Sequence, residues 1–323
     1  MHARNNIKQV NNVWKKRTLP FRFRLGEVTL FSVAADLNVC TLDFLELRDG
    51  KNCSAEIPET IPRDVDGYLI RSMPVAEELP RLDSTRHSIR YIPRQYERYY
   101  IDLSGTAEDY LNKFSSRSRS TLRRKVRKFA EYSGGDIDWC EYSSPEEMAV
   151  FYKHARAVSE LTYQERLLDA GLPAGREFHR HMQALALENA VRGYLLLHHG
   201  KPVAYLYTPI QKGSLIYQHL GYDPDYAKWS PGTVLQWLVI EKLFTSGSFD
   251  LFDFTSGEGS HKKYFSTGSQ RCADIYYLRP THRNRLVVSS HSALDVFSDR
   301  LAAALEYIGV KKWLKRALRR GYA

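Results

Sequence analysis

The spacing of apolar and polar residues changes several times along the chain, and each change marks a new element. Residues 21–47 (FRFRLGEVTLFSVAADLNVCTLDFLEL) alternate apolar with polar and are rich in Val, Leu and Phe, which predicts strands. Pro58, Pro62, Pro74, Pro80 and Pro93 punctuate the next stretch, so residues 50–95 read as short strands and turns. From Tyr99 a strand leads into a helix with Ser104 or Thr106 at its N-cap. Glu108 and Asp109 stand in the first turn, where the helix dipole favours acids. A basic helix comes next, with Leu122, Val126 and Phe129 at i, i+4 and i+7 as its buried stripe, and Ser133-Gly134-Gly135 stops it. DIDWCEY (136–142) alternates as a strand. Ser143 or Ser144 caps a helix beginning at Pro145, and helical periodicity runs on to Glu188 with a break near Gly171-Leu172-Pro173.

The second half is more compact. Arg192 to Pro209 reads as a hairpin turning at Gly200-Lys201-Pro202, succeeded by a short aromatic strand, LIYQHLGYD (215–223). Ser230-Pro231-Gly232-Thr233 then opens an apolar-periodic helix through Phe244. FDLFDF (249–254) is a strand, His261 to Phe265 a short helix and ADIYYL (273–278) a last strand. Residues 281–323 are helical by pattern, with Val296, Leu301, Leu305, Ile308, Trp313, Leu314 and Leu318 on one face. The chain is therefore of the α/β (α+β) class. Three regions are expected: a β-rich part over 1–98, a main domain over 99–280 and a basic amphipathic helical tail over 281–323.

At 323 residues, with 43% hydrophobic and 12% aromatic content, the chain can bury a substantial core and is globular rather than disordered. No apolar run approaches the roughly 20 residues of a membrane-spanning helix. The basic N-terminus has no apolar segment behind it, so a secretory signal is not expected there. Cys40, Cys53, Cys140 and Cys272 lie far apart without a CxxC pair, as expected of thiols in a reducing cytoplasm. His198-His199 and His179-x-His181 lack a third ligand nearby, so no metal is expected.

The net charge of +10 favours polyanionic partners, and the excess is local. Arg117 to Lys128 carries seven basic residues and no acid. That helix reads as a solvated face, as a contact for an anionic cofactor or substrate, or as a docking strip for RNA or a membrane. Its lack of interleaved aromatics argues against stacking on single strands. The C-terminal segment, with Lys and Arg opposite Val, Leu and Trp313, suits an anionic bilayer surface on the cytoplasmic side, or packs its apolar side on the main domain.

The chemistry centres on Ser230-Pro231-Gly232-Thr233. Ser at the N-cap, Pro at N1 and Gly at N2 leave backbone N–H groups free to meet a phosphate, aided by the helix dipole. Gly232 either permits close approach of a pyrophosphate or fits a tight helix entry; Thr233 adds a hydroxyl, and Lys228 a charge just before the turn.

The order of elements resembles the GNAT acyltransferase fold, and four motifs sharpen the likeness. They are Ser118 to Arg124 (SRSTLRR), Gly200 to Ala204 (GKPVA), Ser230 to Leu235 (SPGTVL) and Asp253 to Lys262 (Asp-Phe-x-x-Gly-x-x-x-x-Lys). Together they resemble the CelD/BcsL-like acetyltransferase domain, a relative of the Fem-type aminoacyl transferases. The resemblance implies a mixed, largely antiparallel sheet flanked by helices, with residues 1–98 as a degenerate second copy. It also implies direct transfer of an acyl group from acyl-CoA, usually acetyl-CoA, to an amine or hydroxyl, with a sugar of exopolysaccharide or cellulose synthesis as one acceptor. Ser230 to Thr233 stands where the superfamily's Arg/Gln-x-x-Gly-x-Gly/Ala loop receives the pyrophosphate.

By the same likeness Gly221 and Tyr222 lie beside the cofactor, and a backbone N–H between His219 and Tyr222 polarises the thioester. Tyr264 would protonate the departing thiolate, or else packs under its helix. For the base, His261 ranks ahead of Asp253, with Glu258 and Asp223 also in contention. Lys262 matches the family's lysine and would contact acceptor or cofactor phosphate, or stay on the surface. Two rivals remain: a Fem-type transferase using aminoacyl-tRNA, and an inactive binding module on the same fold.

Overall fold

The long alternating stretch near the N-terminus folds as two strands, β1 (Lys15–Leu25) and β2 (Val28–Thr41), succeeded by β3 (Gly67–Pro74), β4 (Leu82–Ser84) and β5 (Ile89–Tyr91). β6 (Gln95–Asp102) leads to α1 (Ala107–Asn112), α2 (Ser116–Tyr132), β7 (Trp139–Tyr142), α3 (Pro145–Leu161) and α4 (Arg176–Leu187). Then come β8 (Val191–His198), β9 (Lys201–Gln211), β10 (Ser214–Ile216), β11 (His219–Tyr222) and α5 (Pro231–Ser246). The last elements are β12 (Leu251–Asp253), α6 (Ser260–Phe265), β13 (Gly268–Leu278) and α7 (His282–Tyr307). This computed structural model describes residues 14–26, 28–41, 60–162, 171–257 and 259–307. The chain forms two units, one of residues 1–96 with 271–323 and the other of residues 97–270.

In the first unit the strands run β1-β2-β3-β13-β5-β4, antiparallel except for the β2–β3 pair. β13 and α7 pack with the N-terminal strands, whereas the sequence groups that strand with the main domain and reads the helix as a separate tail. The reason is apolar: Val288 is 1% exposed in a core with Phe21, Phe23, Leu37 and Tyr91. His291 adds a hydrogen bond to the Tyr91 hydroxyl at 2.7 Å. The helical residues expected from 308 onward lie outside the described residues.

The second unit orders its strands β6-β12-β10-β9-β8-β7, with β11 on β9; all pairs are antiparallel except β10–β12. One face carries α2 and α5 over Phe129, Leu196, Val203, Leu206, Val234, Ile240 and Phe252. The other carries α3 and α4 over Met148, Phe151, Met182, Leu195 and Tyr207. Local chemistry sets the helix starts. Thr106 with Asp109 and Ser144 with Glu147 form capping boxes. The hairpin turns use left-handed pairs, His199-Gly200 and Lys212-Gly213.

Candidate active site

The sequence reads 215–223 as one strand, but it breaks in the middle. Leu215 pairs with Ile210 and His219 with Tyr207, so four steps on one strand oppose three on the other. One residue is extra, and the Gln218 N–H donates to the Tyr207 carbonyl at 3.2 Å across this β-bulge. Before the bulge, β10 runs parallel to β12, and the Tyr217 N–H still reaches the Asp253 carbonyl at 2.8 Å. After it, β11 stays on β9 while the other strand leaves, the Phe254 N–H turning to the Tyr99 carbonyl at 3.0 Å. The two strands splay into a wedge. Because the Asp223 N–H points to Val203 of β9, at 2.9 Å, alternation turns the Leu220 and Tyr222 amides the opposite way, into the opening.

The N-terminus of α5 stands against these same two residues. A Cβ on Gly232 would lie 3.1 Å from Leu220 Cδ2 and 3.3 Å from Tyr222 Cδ1, so the glycine lets the helix end close on β11. The first-turn amides of Gly232 and Thr233 have no intrahelical acceptor. Ser230 does not supply one, contrary to the capping expected from sequence. It adopts φ 56°, ψ 46° and makes no side-chain cap hydrogen bond. The cause lies upstream: a 3₁₀ turn over Pro224–Trp229 ends at Ser230, whose left-handed backbone closes that turn and opens α5 at Pro231.

Gly221 cannot carry a side chain. Its Cβ would lie 2.5 Å from the ring of Tyr205, which is 1% exposed and donates its hydroxyl to Ser159 Oγ at 3.2 Å. Gly221→Ala is expected to destabilise the protein by about 1–3 kcal/mol through overpacking. Urea denaturation midpoints measure this, and Tyr205→Leu in the same chain should restore part of the loss.

α6 brings His261 to the bulge: its ring centroid is 6.0 Å from that of Tyr217. The imidazole is solvent-exposed on one side. Burial of the other side, then the Lys262 charge, lowers its pKa, which leaves it neutral and proton-accepting at neutral pH. Tyr264 contacts α2. Its hydroxyl donates to the Ser118 carbonyl at 3.2 Å, its ring meets Phe114 at 5.1 Å, and burial raises its pKa, so the phenol keeps its proton. Lys262 Nζ donates to the Phe254 and Ser256 carbonyls at 2.7 and 2.8 Å and thereby ties down the loop after β12. Lys113, absent from the sequence reading, does the same for the other end of α6. It donates to the Tyr264 carbonyl at 3.2 Å and to that of Ser266, and burial lowers its pKa to about 8.

The competing carboxylates are already engaged. Asp253 is fully buried; Arg98 Nε lies 3.1 and 3.2 Å from its two oxygens, Arg98 Nη2 binds Oδ2, and the Thr255 N–H donates to Oδ1 at 2.8 Å. This is an anchor holding β12 to β6, not a free base. Asp223, 2% exposed, accepts from Lys201 at 2.9 Å and from the Asp225 N–H at 3.0 Å, which fixes the turn before α5. Glu258 lies outside the described residues. Lys228 lies with its Nζ 4.0 Å from the Trp229 ring centroid.

His219 sits on the opposite face of β11, its ring centroid 6.2 Å from those of Phe178 and Tyr207, and burial lowers its pKa to about 4. A group that is harder to protonate when folded makes stability fall with acidification. The unfolded chain takes up this proton near pH 6.5 and the folded one only near 4, so the loss occurs between those values. Stability measured from pH 7 to 4 should therefore decline less steeply in His219→Phe. Among the described residues, no group of three or more His, Cys, Asp or Glu is placed to hold a metal ion. No helix among them is long and apolar enough to cross a membrane.

Residues 116–263 match the family model of the acetyltransferase (GNAT) domain. The chain thus carries a domain of the GNAT acetyltransferase type. The structure of FemX covers 85% of this chain and 90% of its own, with a TM-score of 0.53 at 10% identity, and shares the fold. L-PGS from Bacillus licheniformis covers 81% of this chain and 85% of its own, with a TM-score of 0.47 at 13% identity. No curated protein matches the chain in sequence.

Proposed function

We propose that the protein transfers an acyl group from acyl-CoA, acetyl-CoA first among them, directly to an amine or hydroxyl of a small-molecule or saccharide acceptor. One observation carries this reading: the bulge at Gln218 turns the Leu220 and Tyr222 amides into a wedge whose rim is the α5 N-terminus. In it, the Gly232 and Thr233 amides receive the pyrophosphate, with Pro231 and the Ser230 kink aiming them. Gly221 and Tyr222 border the pantetheine arm, and an outward β11 amide steadies the oxyanion that develops on the thioester. His261 takes the proton of the attacking amine or hydroxyl. As the new acyl bond forms the C–S bond breaks, and the thiolate recovers a proton from Tyr264 or from solvent. Lys262 acts through the loop it ties rather than on phosphate. The first unit, with one parallel pair in an otherwise antiparallel sheet, is read as a degenerate copy of the second. Transfer to a sugar in exopolysaccharide or cellulose synthesis is the favoured setting.

Thermal shift tests this against the alternatives. A ligand at 100 times its Kd stabilises the native state by about 2.7 kcal/mol. Acetyl-CoA and free CoA should both raise Tm, and the absence of any shift at millimolar CoA would sink the reading.

A second reading, a Fem-type transferase using aminoacyl-tRNA, is favoured by one feature. Ser116, Arg119, Ser120, Arg123, Arg124 and Arg127 of α2 line a surface cavity of about 450 Å³. On that reading tRNA replaces CoA as the stabilising ligand. Four arginine–phosphate contacts would then give a slope of about −3 for log K against log salt.

A further inference from the structure

In the first unit, the β1–β2 hairpin and α7 both run beyond the core they share. That core closes at His291, which contacts the Arg22 carbonyl at 3.1 Å and the Tyr91 hydroxyl at 2.7 Å. Two turns further along α7, the Gly26 N–H at the hairpin tip donates to Ser298 Oγ at 2.9 Å, so the two elements stay together past the core. There the apolar positions lose their cover. Val28 is 63% exposed, Leu30 54%, Phe31 54%, Phe297 57% and Leu301 37%, with Phe31 stacked on Phe23 at 4.4 Å. Scattered exposed apolar residues are ordinary, but five gathered at one end of two adjoining elements mark a docking surface.

Charge identifies the occupant. Arg22 and Arg24 on β1 and Arg300 on α7, all exposed, belong to the same two elements. On the neighbouring turns of α7, Asp295 pairs with His291 at 3.3 Å and Asp299 with Arg81 at 3.8 Å. The sequence beyond α7, residues 308–323, adds Lys311, Lys312, Lys315, Arg316, Arg319 and Arg320 with no Asp or Glu, and intersperses Trp313 and Leu314. A second copy of the chain would bring these like charges face to face. An anionic bilayer matches both halves of the pattern: apolar side chains enter the interfacial layer while Lys and Arg meet the headgroups. We propose that this end of the first unit docks on an anionic phospholipid bilayer, with Val28, Leu30, Phe31, Phe297 and Leu301 as the inserting residues.

Co-sedimentation of the full chain with vesicles tests the proposal. Vesicles of equimolar phosphatidylglycerol and phosphatidylcholine should bind the protein at low salt, and phosphatidylcholine alone should bind it far less. The double variant Val28→Asp/Leu30→Asp should melt like the parent, since both side chains are exposed, yet lose about tenfold or more of its vesicle binding. Leu187→Asp, at a 77% exposed leucine on α4, should bind like the parent. Failure of the parent to bind the anionic vesicles overturns the proposal, and so does equal binding by the double variant. A concentration-dependent dimer that the double variant abolishes, with vesicle binding intact, would assign the patch to a second copy instead.

Discussion

His261→Ala is expected to slow acyl transfer by about 10²–10⁴-fold, the range for loss of a general base, with little change in the KM for acyl-CoA. The ring adjoins Tyr217 at the point where the sheet opens, and burial together with Lys262 keeps it neutral. The parent enzyme should therefore show a rate that rises with pH through an inflection below 6.5, the ordinary histidine value, and is level at neutrality. The variant should lose that acidic limb as well as the rate, a change that a merely structural histidine would not produce. Tyr264→Phe should cost less, because its hydroxyl is held by the Ser118 carbonyl and solvent can return the proton to the thiolate. Steady-state rates over pH 5–9 with each variant separate the two residues. An unchanged pH profile in His261→Ala would remove the imidazole from the reaction.

Asp253→Ala is expected to destabilise the protein by about 3–5 kcal/mol, since it removes the buried carboxylate that pairs with the Arg98 guanidinium. The carboxylate is 0% and the arginine 8% exposed, and the pair joins β12 to β6 at the root of the wedge. Replacing both partners, with Arg98→Met and Asp253→Leu, should recover most of that loss, because the desolvation penalty of two ions disappears along with their attraction. Denaturant midpoints for the two single variants and the double variant give the cycle. A single variant as stable as the parent would mean that the pair contributes nothing and would return Asp253 to the candidate bases.

Most elements were legible because local chemistry and tertiary packing agree. The Thr106 and Ser144 caps, the Leu122/Phe129 stripe and the stop at Ser133 are all local signals that the fold retains. What escaped was non-local. Nothing near Asp253 in sequence announces Arg98, 155 residues away, so a buried carboxylate read as a candidate base. The bulge within 215–223 was hidden because its residues are good strand formers and only the register against β9 reveals the extra one. Ser230 has the right side chain for a cap, but the preceding 3₁₀ turn takes it out of the extended backbone that capping requires. The helix over 282–307 was clear in the pattern, while the surface it would pack on was not, because amphipathicity does not name a partner.

The single surplus residue at Gln218 means that strand length, rather than side-chain identity, keeps the two halves of this sheet apart. Gln218 is solvent-exposed, so exchanging it for Ser, Lys or Glu should leave the enzyme nearly untouched. Deleting it would leave three steps against three, so that residues 214–222 could pair with β9 without interruption and the splay that opens the wedge would close. Natural variation in this strand should therefore show ready replacement of this glutamine and no change in the count of residues between Leu215 and Asp223.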